Sequence, residues 1–301
     1  MVTLVAPCYE VSDRDGPEKT DAAIKENVRF LKKLSSNPHP RMAATFGLHA
    51  SLTLSGGTLQ ACRAAAPEDT GFHIHVAEHE ADEYDSLNKS NMRIMERLQV
   101  HEIIGPKTIA AHCVHIDARE IELLHETGTW VTHQPRSNMN NAVGAAPVES
   151  MLRTGVKVCL GNDGFSNAMW DEWKDAYFLH KISQRDPRRM NGNDVAKMAI
   201  YNNAALTNVF FPNAPLGQIT PGSYADLIFV DYESPTAVTV DNLAWHIIFG
   251  FQQDMVTTTI VGGKILMKDR ELVTLDEAKI AARARELSLK VWKRYLDKFA
   301  T

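Results

Sequence analysis

The sequence lacks the features that mark several large classes of protein. Its four cysteines are scattered without a CxxC pair, which fits reduced thiols in a cytosol-like compartment better than a disulfide framework. No run of about eighteen apolar residues is present, and the start has neither a basic segment nor a long apolar stretch. A formal net charge of -5 gives no basic surface for nucleic acid or an anionic membrane. We therefore expect a cytoplasmic protein whose partners are small molecules.

The pattern that is present is an alternation of strand-like apolar runs with longer helical segments, up to about residue 211. Such alternation is typical of βα units that build a parallel sheet. A chain of 301 residues that is 44% hydrophobic can bury a large core. No glycine-rich phosphate loop is found, which argues against a doubly wound nucleotide-binding sheet. Six runs are predicted strands: VTLVAPCY, MAATFGLHA, FHIHVAE, TIAAHCVHI, TWVTHQP and VKVCLGNDG.

Each predicted strand finishes in side chains that can do chemistry. In a (β/α)8 barrel the active site is assembled from the carboxyl ends of the strands, so one polar terminus per strand favours a barrel enzyme. These termini are, in chain order, Glu10, His49, His75 with Glu78, His112 with His115, His133, and Asp163.

The pattern of predicted secondary structure changes after Pro212. Short strand-like runs separated by Gly-Ser and Gly-Gly turns, without intervening helices, predict a small β module. A charged amphipathic helix is predicted from Leu275 to Phe299. The predicted domains are therefore a partial barrel over 1–211, a small β module over 212–274 and a C-terminal helix over 275–301.

The stretch GFHIHVAEHE concentrates titratable groups at the end of an apolar strand. Because strand side chains alternate between faces, His73 and His75 point one way, and Ile74 and Val76 point toward the helices. A pair of core histidines is the simpler interpretation. Glu78 three positions after His75, with more His and Asp at later strand ends, favours a functional site instead.

His112 and Asp163 end two later strands, and they extend this pattern. A carboxylate without a partner is costly to desolvate, so we expect Asp163 to face a cation or a bound water. Imidazole and carboxylate ligands together suit zinc or ferrous iron with an open position for water. A divalent metal lowers the pKa of that water to about 7.

These motifs resemble those of a known family. In order, HVAE, TIAAHCVH, THQPRSNM, GVKVCLGNDG and LGQITPGSYADLIFVD resemble successive motifs of the amidohydrolase superfamily, in its cytosine deaminase and chlorohydrolase-like branch. The resemblance runs from about Ala6 to past Gly263. It implies an α/β, TIM-barrel-like metal-dependent hydrolase fold with a small β-sandwich module and a C-terminal helix.

The resemblance also implies roles for single residues. His75 matches a metal-binding histidine, and Glu78 matches the acid that carries a proton to the substrate nitrogen. His112 matches a histidine that polarises the substrate or binds metal, and Asp163 matches a metal ligand and general base. Three more residues fall where the family contacts substrate: His49, His133 and Asn138. The implied cofactor is a divalent metal, zinc or iron, and a homodimer is expected.

The sequence departs from the family in one large way. The family places two metal ligands in an HxH pair after the first barrel strand, whereas the only HxH here is His73-Ile74-His75, in a later strand. "GND" and "HQP" in place of the commoner "GTD" and "HNP" are minor changes. We therefore expect a barrel incomplete at its N-terminus, with about six of eight βα units. Either the chain is a fragment or truncated product, or another chain or the C-terminal helix covers the gap.

Three functions follow from these observations. The first is a metal-dependent aminohydrolase that deaminates a nitrogen heterocycle or opens its ring. The second is a catalytically impaired remnant that acts as a binding or assembly partner, because one His and one Asp alone hold a metal weakly. The third is a metal-free lyase or isomerase on the same barrel.

Overall fold

The computed structural model describes residues 3–213 and 215–299. They form two compact units. The larger unit contains residues 3–213, 215–223 and 234–251, and the smaller unit contains residues 224–233 and 252–299. The domain boundaries at 211 and 274 stay a prediction, and residues 1, 2, 214, 300 and 301 of the predicted domains lie outside the described residues.

The larger unit is built on a parallel sheet of five strands in chain order. This confirms the predicted α/β class with a parallel sheet. Strands that neighbour one another in chain order are what consecutive βα units give, whereas a doubly wound sheet reverses its order. The strands are β1 (Phe46–Ala50), β2 (Phe72–Val76), β3 (Ile109–His112), β4 (Trp130–His133) and β5 (Val158–Leu160).

The first of the six predicted strands is not formed in the described residues. Between Val5 and Val11 the chain makes two isolated parallel bridges, from Val5 to Met42 and from Val11 to Leu48 of β1. The reason is the side chain of Asn27, which takes the places of ladder hydrogen bonds. Its Oδ1 accepts from the backbone N–H of Tyr9 (3.1 Å) and of Gly47 (3.0 Å), and its Nδ2 donates to Tyr9 O at 2.7 Å.

Helices precede, separate and follow the five strands, as βα units require. The predicted alternation of strands with helical segments is confirmed. The helices are α1 (Pro17–Ser36), α2 (Gly56–Ala65), α3 (Glu80–Ser90), α4 (Ile94–Val100), α5 (Ala118–Thr127), α6 (Pro135–Asn140), α7 (Val148–Thr154), α8 (Met169–Gln184), α9 (Gly192–Ala196), α10 (Asn203–Phe210) and α11 (Leu243–Gly250). A π-helical segment, Lys197–Asn202, joins α9 to α10.

The predicted alternation of faces in β2 is confirmed. Phe72, Ile74 and Val76 are buried in the main hydrophobic core, and His73 and His75 are half-buried. Burying apolar side chains on one face stabilises the sheet against the helices, because about 25 cal/mol is gained per Å² of apolar surface removed from water. The opposite face of the same strand is thereby left for the histidines.

The smaller unit is an antiparallel sheet of four strands and one long helix. The strands are β6 (Leu227–Val230), β7 (Val256–Val261), β8 (Lys264–Lys268) and β9 (Glu271–Leu272), followed by α12 (Glu277–Phe299). Gly262 and Gly263 both have positive φ and make the two-residue turn between β7 and β8. Residues 215–299 contain a single antiparallel sheet, so the predicted β-sandwich stays a prediction.

The expectation that residues 212–274 contain no helix is wrong. Helix α11 belongs to the larger unit, where Ala244, Ile247 and Ile248 are buried. A Cβ on Gly192 of α9 would lie 3.2 Å from the Trp245 ring, so the two helices touch closely. In residues 3–213 and 215–299, no helix combines the length and the apolar character that crossing a membrane requires.

A buried carboxyl pair lies between helices α3, α4 and α5. Glu83 and Glu120 share Arg93, whose Nη2 lies 3.2 Å from Glu83 Oε1 and 2.6 Å from Glu120 Oε2. Glu120 Oε1 also accepts the backbone N–H of Met95 at 3.1 Å. Burial, with the nearby Glu120 carboxylate, raises the pKa of Glu83 to about 8.

This pair predicts a pH dependence of stability. The pKa of Glu83 is higher in the folded chain than its ordinary 4.5, so folding binds a proton and stability falls as pH rises from about 4.5 to 8. We expect the free energy of unfolding of Glu83→Gln to decrease less over this pH range than that of wild type. The difference should be at least about 1.4 kcal/mol, which corresponds to a pKa shift of one unit. Urea unfolding across this pH range measures it, with exposed Glu122→Gln as control. Equal slopes for Glu83→Gln and wild type would contradict the prediction.

Candidate active site

The carboxyl ends of the parallel strands border a cavity of about 380 Å³. Because parallel strands all point the same way, their ends meet at one edge of the sheet. Polar side chains that line the cavity include Glu10, His73, His75, His112, Gln134 and Asp163.

The backbone orients the ring of His75. Its Nδ1 lies 2.5 Å from His49 O and 3.8 Å from Glu10 Oε1. A carbonyl oxygen only accepts, so Nδ1 carries the hydrogen and the Nε2 lone pair is left free. This is the arrangement that a metal-binding histidine usually has.

The side-chain amide of Asn138 orients the ring of His112 through the same ring nitrogen, Nδ1. Asn138 Oδ1 lies 2.8 Å from His112 Nδ1, which donates to it, so the Nε2 lone pair is free here too. The two rings are stacked at an interplanar angle of 23°, with 5.5 Å between the centroids of His75 and His112. Burial lowers the pKa of His112, and the Glu78 carboxylate opposes that shift. At neutral pH the ring is therefore uncharged.

Two carboxylates approach His112 Nε2. Glu78 Oε2 lies 3.7 Å from it and Asp163 Oδ2 lies 3.9 Å from it. Each carboxylate accepts a hydrogen bond from a nearby side chain. Asn141, directly after α6, donates from Nδ2 to Glu78 Oε1 at 2.9 Å, and Ser137, in α6, donates from Oγ to Asp163 Oδ2 at 2.6 Å. The structure thus brings His112 together with Glu78 and Asp163.

Residues with positive φ cluster at these strand ends. They are Ala77 (φ 45°), His112 (φ 71°), Cys113 (φ 51°) and Asp163 (φ 52°). Residues other than glycine seldom adopt this conformation, and such strain gathers at functional sites. The chain here turns sharply, which aims His112 and Asp163 at the cavity.

The three residues predicted to contact substrate, His49, Asn138 and His133, have different neighbours and different burial. His49 lies beside His75, with 5.5 Å between ring centroids, and its Nδ1 lies 2.9 Å from Thr53 Oγ1. Asn138 is fully buried and contacts His112. His133 is also fully buried, and its Nε2 lies 3.2 Å from Nε2 of His180. Their contact with substrate stays a prediction.

Sequence reasoning missed several residues of this edge. Gln134 Oε1 accepts the backbone N–H of His112 at 3.1 Å, and its Nε2 donates to Thr132 Oγ1 at 2.6 Å. Ser137 and Asn141 hold the carboxylates of the site. The motif THQPRSNM contains Gln134 and Ser137, but nothing in the sequence gives the direction of their side chains.

The donor chemistry fits a divalent metal in kind. His75 and His112 present oriented imidazole nitrogens, and Asp163 adds a carboxylate, which are ligands that zinc accepts. Within residues 3–213 and 215–299, however, no three His, Cys, Asp or Glu side chains converge closely enough to hold a metal ion. The residues present therefore fit part of a coordination sphere.

His73 gives a prediction for this face of β2. Burial, with the nearby His75 and His112, lowers the pKa of His73 from 6.5 to about 4. The unfolded chain takes up this proton near pH 6.5 and the folded chain near 4, so His73 destabilises the fold as pH falls through that window. We expect its Cε1–H resonance in NMR to titrate with a midpoint near 4, with His73→Gln used for assignment. A midpoint near 6.5 would overturn this.

Comparison with known proteins identifies the family of the chain. The class that fold and site define is an α/β protein with a polar site at the ends of parallel strands. The chain belongs to the amidohydrolase family, whose model matches residues 2–266. The resemblance seen in the motifs is thereby confirmed.

The chain is similar to curated deaminases. It is 35% identical over 274 residues to 5'-deoxyadenosine deaminase of Methanosarcina mazei, covering 89% of this chain and 62% of the relative. It is 34% identical over 281 residues to 5-methylthioadenosine/S-adenosylhomocysteine deaminase of Pelotomaculum thermopropionicum, covering 90% and 63%. The chain thus spans just under two thirds of the length of these relatives.

Solved structures share the fold. An adenosine deaminase from Xanthomonas campestris with bound zinc has a TM-score of 0.85 at 23% identity, over 96% of this chain and 66% of that one. Atrazine chlorohydrolase TrzN from Arthrobacter aurescens with zinc has a TM-score of 0.71 at 22% identity, over 88% and 60%. At these identities the likeness establishes the fold alone.

Proposed function

We propose that this chain is a metal-dependent aminohydrolase that deaminates or opens a nitrogen heterocycle at a carbon–nitrogen bond. The observation that carries the proposal is the placement of Glu78 and Asp163 within 4 Å of His112 Nε2, at the edge of one cavity. Two separately held carboxylates beside an uncharged imidazole are suited to moving protons to and from a substrate.

The relatives support the proposal and favour an adenosine-type compound as the substrate. Their names give adenosine-type compounds, 5'-deoxyadenosine and 5-methylthioadenosine, as the molecules they deaminate. Among the described residues that line the cavity, Glu10 and Asp163 are acidic and none is Lys or Arg. A cavity of this charge favours a neutral or cationic heterocycle over an anionic one.

The five strands and the chain from Val5 to Val11 are proposed to be an arc of a TIM-like barrel with about six of eight βα units. The chain order of the strands and the match to the Xanthomonas campestris structure support this. The homodimer and the cytoplasmic location remain predictions.

His75, His112 and Asp163 are proposed to supply part of the coordination of a divalent metal, with zinc preferred over iron because the two solved structures named above hold zinc. The metal would supply a Lewis acid and a water that is activated at neutral pH. The second ring nitrogen of each histidine is already hydrogen-bonded, which fixes the tautomer that such a role needs.

Two different carboxyl side chains, Asp163 and Glu78, are proposed to carry out the two proton transfers. Asp163 is proposed to accept a proton from the attacking water, with Ser137 holding its carboxylate in place. Glu78, held by Asn141, is proposed to deliver a proton to the leaving nitrogen. His112 donates its Nδ1 hydrogen to Asn138, so its Nε2 accepts a hydrogen bond or binds metal. Donation from Nε2 to a tetrahedral intermediate would require a charged ring, which burial disfavours.

The relatives' names, which are those of deaminases, do not favour the remnant that acts as a partner, or the metal-free lyase or isomerase. Those two functions are therefore not proposed.

The proposal predicts activity and metal binding by the whole chain. We expect ammonia release from 5'-deoxyadenosine, methylthioadenosine, cytosine or a triazine amine when zinc is supplied, and a tightly held metal by elemental analysis. Asp163→Ala and Glu78→Gln should lower turnover by roughly 10²-fold or more, since each removes a proton carrier.

Exposed Glu122→Gln is the matched control and should keep full turnover. Turnover that survives in both Asp163→Ala and His75→Ala would contradict the mechanism. A purified chain that neither holds metal nor releases ammonia from any of these substrates would contradict the function itself.

A further inference from the structure

One short piece of chain touches both His112 and Asp163. We name residues 133–138, from the end of β4 into α6, the bridging segment. Gln134 Oε1 accepts the backbone N–H of His112, and Asn138 Oδ1 accepts from its Nδ1, at 3.1 and 2.8 Å. Ser137 donates to Asp163 at 2.6 Å. The position of this segment therefore sets the orientation of both side chains.

Helix α8 contacts the bridging segment at a first point through Glu172. This glutamate is fully buried, and it accepts from Arg136 Nε at 2.6 Å and from the Arg136 backbone N–H at 3.3 Å. The same guanidinium donates through Nη2 to Ser166 O at 2.6 Å, in the loop that follows Asp163. Arg136 thus ties α8, the bridging segment and the Asp163 loop together.

Helix α8 contacts the segment at a second point through His180, about 12 Å further along its axis at 1.5 Å per residue. His180 Nε2 lies 3.2 Å from His133 Nε2, and both rings are buried. Burial lowers the pKa of His180 to about 4, and that of His133 also falls. Both rings are therefore uncharged, so one Nε2 donates and the other accepts.

The partner of His133 is hard to replace. His133 Nδ1 has no hydrogen-bond partner in the described part of the chain, so Nε2 carries the ring's whole hydrogen bonding. Loss of His180 would leave a fully buried ring without any partner, which is costly. The backbone of His133 also accepts from Gly161 N–H at 2.9 Å, two residues before Asp163.

We propose that Glu172 and His180 are positioning residues of α8, which fix the bridging segment so that His112 and Asp163 keep the orientation the site uses. The functional part of this inference rests on the proposed aminohydrolase activity. Neither residue lines the cavity, and each acts through a named neighbour, Glu172 through Arg136 and His180 through His133.

The first test measures His112 itself in the metal-free chain. Long-range ¹H–¹⁵N NMR reports which ring nitrogen carries the hydrogen. We expect Nδ1–H in wild type, and a mixture of Nδ1–H and Nε2–H in His180→Leu and in Glu172→Gln, because the bridging segment loses a contact point. Ile182→Ala, at an exposed position of the same helix, should match wild type.

The second test measures zinc affinity by chelator competition. Changes to residues that orient metal ligands typically cost 10- to 100-fold in affinity, so we expect roughly a ten-fold loss for His180→Leu and for Glu172→Gln. His180→Gln keeps a donor and an acceptor and should restore both the tautomer and the affinity. A purely structural role would lower the unfolding midpoint without moving either readout.

An unchanged His112 tautomer in folded His180→Leu and Glu172→Gln would overturn the inference, as would an equal change in Ile182→Ala. If His180→Leu does not fold, Glu172→Gln decides, because an unchanged His112 tautomer in that variant alone overturns the inference. If wild type binds no zinc and releases no ammonia, the proposed function fails, whereas the tautomer measurement still decides whether α8 positions His112.

Discussion

Parallel pairing of β1 to β5 in chain order is the constraint on which the candidate site depends, because it brings every carboxyl end to one edge. His75 and His112 come from strands that pair directly, and Asp163 follows β5. These residues are far apart in sequence, but they lie at the same edge because each follows or ends a strand of one parallel sheet. The hydrogen bonds at Nδ1 then turn both imidazoles the same way, with Nε2 free.

Local pattern was enough to predict the parts of the fold that depend on periodicity and turn chemistry. The alternation in FHIHV put His75 and His73 on one face, and the structure agrees. Asp117 is the N-cap of α5 and Gly128 its left-handed C-cap, which are positions that Asp and Gly favour. His75, His112 and Asp163 were found because each ends an apolar run, which is a property that the sequence displays directly.

The rest depends on contacts between residues that are distant in sequence. Asn27 replaces a strand ladder at Tyr9, and no local pattern signals that an amide on α1 would do so. The apolar run of α11 reads equally well as a strand when its packing partner is unknown. His180 looks like one polar residue among many on α8, and only the fold places it against His133.

The charge at the cavity edge gives a further reason to expect a cation there. Glu10 and Asp163 line the cavity and Glu78 approaches His112, while the described lining contains no Lys or Arg. The pKa of His112 is lowered by burial, so this ring supplies no compensating charge at neutral pH. Glu78 and Asp163 both lie within 4 Å of His112 Nε2, so their negative charges repel each other. A divalent metal, or a cationic substrate, would relieve that repulsion, and two imidazoles with free Nε2 atoms give the metal a chemical advantage.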